Sequence, residues 1–521
     1  MFANRCQPSA LRIDTAVVNN LLKFAPVIWV LILLPAIASA SAEPLLIARS
    51  TTKSERRYVP PDEPAAVEPT RLPVPTPTPL SAEPVRPKTP TYLEPEKPKP
   101  VTAPEPPKPK SAAVKVKVDD GLKFQSEDKA YSYQIGGRVN VDARSFSYPG
   151  SGLFSKPDLS RQLFEMRRLR LDVKATLGKY VKIKFSEDFS TNKAEEKPET
   201  KEAWISYNYF SFGNIQVGQS QYPFSSEDVG TSKYYQFLEQ STIGAALASG
   251  EDRGILLIGN IVDNRYHYAF GMMNGAGANT SDNNDKLDTA VRFVLNPADL
   301  EDENKYWLGV SYSTGNQTVV KGLNDGLSLR TESRSKQKFF SATFEDKRKF
   351  SKTRQGLDAT YLHGPTTIKS EYMRGNFKFD GTAGVQGMYL LVGHFLTGEQ
   401  RAVENGVFEK QTVNEPYDPK GAGRGAIELT VRYSTFHADQ KFFEAASLYP
   451  TWTALSSSKY VNAGYSWTYG VNWYLDPMAR IQFNYIRGYA AKEMIKSFSK
   501  TIGMSGKAVE SAILVRFAQE F

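Results

Sequence analysis

The runs Arg167-Arg168-Leu169-Arg170-Leu171-Asp172-Val173-Lys174-Ala175-Thr176-Leu177 and Val181-Lys182-Ile183-Lys184-Phe185, joined through Gly178-Lys179-Tyr180, restrict the fold more than any other stretch of the chain. Neighbouring side chains on a strand point to opposite faces. Leu169, Leu171, Val173, Ala175, Val181, Ile183 and Phe185 therefore share an apolar face, and Arg168, Arg170, Lys174, Lys182 and Lys184 share a cationic one. A lone two-stranded ribbon of this kind is not stable in water. Repeated until the sheet closes, with the apolar face outward, it becomes a transmembrane β-barrel around a polar lumen.

The N-terminus has a different texture. Residues 1–42 read as a secretory signal: Arg5, Arg12 and Lys23 precede an apolar core from Phe24 to Ile37, followed by Ala38-Ser39-Ala40-Ser41-Ala42. Residues 43–120 form a Pro-rich linker, densest up to Lys110, with prolines spaced among Lys, Glu and Thr. Such a segment buries no core and is expected to be a disordered, extended periplasmic arm reaching roughly 200 Å at most. Its sharper reading is a tether to peptidoglycan. The only cysteine, Cys6, lies in the segment expected to be removed, so neither disulfides nor thiol chemistry is expected of the mature chain. His267, His363, His394 and His437 lack metal-ligand spacing, and no cofactor is expected. Long basic tails of the nucleic-acid-binding kind are missing.

From residue 121 to Phe521 strand-like runs follow one another, seventeen by pattern. Closed single-chain barrels of this class carry an even number, so the run at 337–345, embedded in charge, is set aside. The expected fold is all-β: a 16-stranded antiparallel transmembrane β-barrel over 121–521. Tight breaks at 210–214, 262–264 and 363–365 are expected as periplasmic turns; 221–252, 275–286, 315–354, 398–423 and 438–463 are expected as extracellular loops. The first of these is the candidate constriction loop, because Tyr234, Tyr235, Phe237 and Leu238 give it apolar material to fold inward. Ile255-Leu256-Leu257-Ile258 is apolar on both faces, which fits a strand packed against an inserted loop or a neighbouring subunit.

Parity puts Arg138, Arg144, Arg168, Arg170, Lys174, Lys182, Lys184, Arg292, Arg432, Arg480 and Arg516 on the lumen side. Cations lining a low-dielectric passage concentrate anions, and the arginine fork gives two hydrogen bonds to one oxyanion. The competing role for each is neutralising a lumenal carboxylate such as Asp142, Asp172, Asp188 or Glu428.

With these residues in view, the chain from about Gly136 to Phe521 resembles the phosphate-selective porins of the porin O and porin P kind. The resemblance rests on Arg167-Arg168 before an alternating strand, Gly218-Gln219 followed by Pro223-Phe224, Phe395-Leu396-Thr397-Gly398-Glu399, Glu428-Leu429-x-Val431-Arg432-Tyr433-Ser434, Gly470-Val471-Asn472-Trp473-Tyr474 and the terminal Phe521. It implies a homotrimer of barrels in the outer membrane of a Gram-negative bacterium, each with an inward-folded loop and an arginine ladder leading phosphate-class anions to a narrow site. By this match Arg167 and Arg168 form the ladder's arginine pair. Parity points only Arg168 inward, so Arg167 needs a strand end or a bulge to join it. Two positions depart from the pattern: Gln221 stands in place of a lysine and Gln240 in place of an arginine.

The expected function is a passive, anion-selective diffusion channel for phosphate or polyphosphate; the alternative is a weakly selective general porin whose arm ties the outer membrane to the cell wall. An enzyme is not expected, since no Gly-x-Ser-x-Gly or comparable nucleophile setting occurs.

Overall fold

The structure, a computed structural model, describes residues 114–118, 121–147, 162–190, 198–282, 284–297, 299, 302–320, 326–334, 338–344, 346–379, 381–442, 462–491 and 507–521. The expected signal and nearly all of the expected arm lie outside these residues. Within the span assigned to the arm, β1 (Val114–Val118) is a strand paired with β2 (Leu122–Ser126), and β2 continues onto the opening residues of β3 (Ser132–Ser147).

From β3 the sheet proceeds antiparallel through β4 (Gln162–Leu177), β5 (Val181–Asp188), β6 (Glu199–Phe210), β7 (Gly213–Gln221), β8 (Glu251–Ile261), β9 (Tyr266–Met273), β10 (Asp288–Leu295) and β11 (Asn304–Thr318). Two further strands, β12 (Gly326–Arg330) and β13 (Lys338–Thr343), among the described residues pair with each other and with no barrel strand. The barrel resumes with β14 (Lys349–His363), β15 (Thr366–Lys378) and β16 (Thr382–Phe395). A two-residue ladder, β17 (Val403–Glu404) with β18 (Val407–Phe408), interrupts it before β19 (Ala426–Ala438), β20 (Ala463–Tyr474), β21 (Ala479–Ala491) and β22 (Lys507–Glu520). β22 pairs with β3 and closes a sixteen-stranded barrel. Beyond that ladder, Phe521 exchanges backbone hydrogen bonds with Gly137, and a side chain at Gly137 would meet the Phe521 ring at 2.7 Å. Glycine at that position thus lets the final aromatic seat across the seam. At the other end of β4, Gly178 and Lys179 both adopt positive φ (62° and 71°), the primed turn that matches strand twist.

The alternation expected from sequence is seen in burial. Arg138, Asn140, Asp142 and Arg144 are buried on one face of β3, and Leu514 and Arg516 are fully buried while Ile513 and Phe517 are exposed on the outer face. Lipid is the natural neighbour of such an outer face. On β19 to β21, Tyr433, Trp467, Tyr465 and Tyr489 form a stack of rings with centroids 4.7 to 5.9 Å apart, the composition of an interfacial girdle.

Strand direction fixes which connections share an end. β4, β6, β8, β10 and β14 all run toward the tight turns, and so does β16. The segment 396–425 is therefore at the turn end, facing the periplasm in barrels of this class, and the expected extracellular placement of 398–423 is corrected. Length alone had assigned it; strand direction overrides length.

Two loops from the other end fold inward. Residues 222–250 carry α1 (Ser226–Val229), capped by the Ser225 hydroxyl, and α2 (Thr242–Leu247), capped by Ser241. Glu227 accepts from the Ser241 backbone N–H at 3.0 Å and so ties the two short helices together, while Glu371 on β15 accepts from the Ser226 N–H at 3.0 Å and fixes α1 to the wall. The β12–β13 hairpin is the second. Its Leu327, Leu329, Phe339, Phe340 and Phe344 share one buried cluster with Tyr222, Phe224, Ile243 and Leu247 of the first loop and with Leu256, Met373 and Phe436 of the wall. This explains Ile255-Leu256-Leu257-Ile258: Leu256 packs against inserted loop, so both of its strand's faces are apolar.

Candidate functional site

Every cation that parity assigned to the inner face lies on a barrel strand, and the structure gives each a surrounding. Arg138, Arg168, Arg292, Arg432, Arg480 and Arg516 are buried, as is Arg144. Arg170, Lys174 and Lys184 are half-buried, and Lys182 is exposed beside the turn that follows β4. Arg167 reaches the lumen as well. The β3–β4 ladder pairs Asn140 with Arg168 but Val141 with Met166, so Arg167 is the extra residue of a β-bulge. A bulge re-aims one side chain without disturbing the apolar face, which is why Arg167 and Arg168 can act on the same side.

The two arginines converge on a glutamate of the inserted loop. Arg167 donates from Nε (2.7 Å) and Nη2 (3.0 Å) to the two carboxylate oxygens of Glu239. Arg516 Nη2 lies 3.1 Å, Arg144 Nη2 3.3 Å, Arg334 Nη1 3.4 Å and Arg168 Nη2 3.7 Å from the same carboxylate. Burial opposes charge on Glu239, but Arg167, Arg334 and Arg168 hold its carboxyl well below the usual range. Asp142 holds Arg516 by two hydrogen bonds (2.6 and 2.8 Å) and also accepts from Arg144 at 2.7 Å.

Other cations have partners of their own. Arg170 pairs with Asp188 at 2.7 Å, Lys184 with Glu202, and Arg292 by two bonds with Asp358 (2.6 and 2.9 Å). Arg432 is held by Glu227 at 3.0 Å and Glu332 at 3.3 Å, donates to the Glu239 carbonyl at 2.9 Å and stacks over the Phe237 ring. Arg480 points Nη1 toward the Tyr235 carbonyl at 3.5 Å.

Arg138 and Arg168 each leave two buried donors unmatched, against one each on Arg144, Arg432 and Arg480; Arg401 also leaves two, but its remaining nitrogen is paired with Glu428. Arg138 donates from Nη2 to Ser232 at 2.9 Å, yet its Nε and Nη1 are buried without a hydrogen-bond partner, and so are Nε and Nη1 of Arg168. The register sets them diagonally across the β3–β4 ladder, with Asn140 facing Arg168 and Arg138 facing Arg170. A buried donor left unmatched is costly, and a guanidinium edge is shaped to receive an oxyanion.

The family model described as "Phosphate-selective porin O and P" matches residues 134–495, more than half of the chain. The chain belongs to this family. Porin O of Pseudomonas aeruginosa is 22% identical over 406 residues, covering 73% of this chain and 88% of that protein. Among solved structures, an anion-selective porin from Comamonas acidovorans is 11% identical with a TM-score of 0.44, covering 75% of this chain and 100% of that one. The outer membrane channel DcaP of Acinetobacter baumannii is 10% identical with a TM-score of 0.45, covering 76% and 99%. Membership of the family makes the chain an outer-membrane porin.

Several lumenal residues of this porin were not singled out from sequence. Glu239 lies in the inserted loop, where strand alternation assigns no side. Arg334 sits in a loop, where parity is silent. Arg354 donates to Ser313 at 2.8 Å and to the Leu247 carbonyl at 2.9 Å, and stacks over Tyr222 and Phe224; it is the last residue of 315–354, expected as a loop, whereas the strand already begins at Lys349. Arg401, in the turn-end segment, pairs with Glu428 and donates to Tyr474 Oη at 2.9 Å. Lys369 lies over the Phe408 ring, and its parity with Thr367 and Glu371 was a signal available in the sequence. The two departures from the family pattern also have structural roles. The Gln221 amide, oriented with its nitrogen toward α1, donates to the Asp228 and Val229 carbonyls at 2.6 Å each. Gln240 donates to the Asp228 carboxylate at 2.9 Å.

Below the inserted loop, a cavity of about 340 Å³ is lined by residues including Gln216, Gln221, His267, Arg292 and Glu409. A second, of about 680 Å³, lies against 398–414 and includes Lys305, Arg401, Glu404 and Glu409. Burial and the neighbouring Glu404 raise the Glu409 carboxyl to about 7.

Proposed function

We propose that the lumen conducts small inorganic anions of the phosphate class passively, with Arg138 and Arg168 as the anion-binding pair of the constriction. The observation that carries this is their four unmatched, buried Nε and Nη1 donors. Carboxylates already satisfy Arg170, Arg292 and Arg516, which leaves those residues as scaffold. Arg138 and Arg168 retain hydrogen-bonding capacity that a tetrahedral oxyanion, with several acceptor oxygens, would take up. Arg480, Lys174 and Lys182 add positive potential along the approach, which raises anion entry, while Arg167, Arg432 and Lys184 are held by Glu239, by Glu227 and Glu332, and by Glu202. Family membership supports phosphate as the preferred anion and a homotrimer as the assembly. In the same reading, residues 1–42 are a cleaved leader and the Pro-rich sequence of 43–113 a periplasmic arm, ending where the Val114–Val118 strand begins. Reversal potential across a salt gradient in a planar bilayer, with inorganic phosphate titrated against the chloride current, tests the function. Anion preference with saturable phosphate block is expected; equal or cation-favouring permeability would sink it.

A further inference from the structure

Glu239 is a loop carboxylate set among five guanidinium groups: Arg144, Arg167, Arg168, Arg334 and Arg516. The loop does not depend on this side chain for its place. Its backbone is held next to Glu239 by Arg516 donating to the Leu238 carbonyl at 2.6 Å and by Arg432 donating to the Glu239 carbonyl at 2.9 Å. Further along, the Glu227–Ser241 and Glu371–Ser226 bonds fix both helices. Arg516 and Arg144 also have Asp142 to neutralise them. What the carboxylate does distinctively is fill the fork of Arg167 with two oxygens and lie against Arg168. Two oxygens on one fork is the geometry an oxyanion would adopt. The cluster is also reachable from the loop end, since the Arg334 side chain is 49% exposed.

We propose that Glu239 is a tethered competitor of the permeating anion, occupying the arginine cluster until a stronger oxyanion displaces it, and that it is the residue that sets the channel's affinity for anions. A singly charged, weakly hydrogen-bonding ion such as chloride does not displace a bidentate carboxylate; a doubly charged oxyanion with several acceptors does. The tether keeps the cluster from holding a passing phosphate too tightly, because the carboxylate returns as the anion leaves. Conduction needs sites strong enough to enter and weak enough to leave. This inference rests on the reading of the lumen as an anion path.

The test compares the full-length protein with Glu239→Gln in a planar bilayer, using inorganic phosphate as blocker of the chloride current. Wild type is measured first: absence of anion preference there refutes the conduction reading, and the competitor role with it. Given an anion-selective wild type, E239Q is expected to lower the half-blocking phosphate concentration on the order of tenfold, the scale of one nearby unit charge after solvent and salt screening. The dwell of each blocking event should lengthen too. A purely structural Glu239 would produce the opposite, a loosened loop with weaker block. An assembled E239Q channel whose block is unchanged or weaker overturns the proposal. Where E239Q does not assemble, Glu239→Asp decides: the charge stays but the shorter side chain withdraws from the Arg167 fork, so block should tighten at least about twofold, and unchanged or weaker block overturns the proposal.

Discussion

Arg138 and Arg516 lie on adjacent strands at the barrel seam and bear the same charge, yet their surroundings call for different outcomes on mutation. Arg516 shares two hydrogen bonds with Asp142, and both side chains are fully buried. Arg516→Gln takes the bidentate partner from a buried carboxylate and leaves Asp142 only the bond from Arg144, so the cost should lie toward the lower end of the roughly 3–5 kcal/mol of a broken buried pair. Assembly should suffer: less protein should resist unfolding in unheated detergent gels, and its heat-shift temperature should fall. Arg138→Gln and Arg168→Gln leave no carboxylate without a bidentate partner, so assembly should persist while the half-blocking phosphate concentration rises on the order of tenfold. If R516Q and R138Q lose assembly equally, the division between scaffold and site cations is wrong. A pH effect follows from Glu409. Its carboxyl is raised to about 7, by burial first and then by Glu404. It is therefore neutral below that pH and negative above it, on the wall of both cavities. Anion conductance should decline as pH rises from about 6 to 8, and Glu409→Gln should flatten that decline. These residue roles were only partly legible in the sequence. Parity located the inner cations because the side-chain period is two regardless of context, but it says nothing of which carboxylate each will meet. Arg167 shows the limit: its inward turn depends on a bulge in the β3–β4 register.

At the scale of elements, the sixteen barrel strands were readable from alternation because each must present one face to lipid and one to the lumen. The β12–β13 hairpin and the 396–425 segment were not. Neither crosses the membrane, so neither carries that two-faced constraint. The hairpin's inward fold is secured by its tip: Glu332 accepts from Ser434, Ser466 and Thr468, and Thr331 and Ser333 donate to Glu510. Those partners are scattered over 179 residues of sequence at most, for Thr331 to Glu510, and no local pattern announces them. The 396–425 segment was put on the wrong side by its length, and its placement at the turn end can be tested directly. Apart from Cys6, the chain has no cysteine. A cysteine replacing exposed Lys420 should react with a bulky impermeant maleimide only after the outer membrane is breached. One replacing exposed Asp282, in the connection between β9 and β10, should react in intact cells. Labelling of both in intact cells would reverse the assignment of the 396–425 segment.

For the whole molecule the boundary between barrel and arm is the remaining physical question. The barrel itself is closed by β22 against β3, and closure removes the free edges from which sheets unravel. β1 and β2 extend the sheet at the turn end without joining the closed ring: β2 contributes Leu122, Lys123, Phe124 and Gln125 to β3, whereas among the described residues β1 pairs with β2 alone. Val114 and Val116 are more than half exposed there, so this hairpin adds little buried surface. The Pro-rich sequence before it contains no apolar run able to build a core. Limited proteolysis of the folded protein in detergent should therefore cut within residues 43–113 and stop at the hairpin, leaving a core that begins near Val114. That core should still migrate as a compact species until heated, and its single-channel conductance and phosphate block should match those of the untrimmed protein, because every cation of the lumen lies beyond Ser132. Loss of β1 with the arm, as shown by a core beginning near Gly121, would mean that the hairpin is not stably docked. Loss of conduction on trimming would mean that the arm contributes to the path, and the lumenal arginines alone would no longer account for the channel.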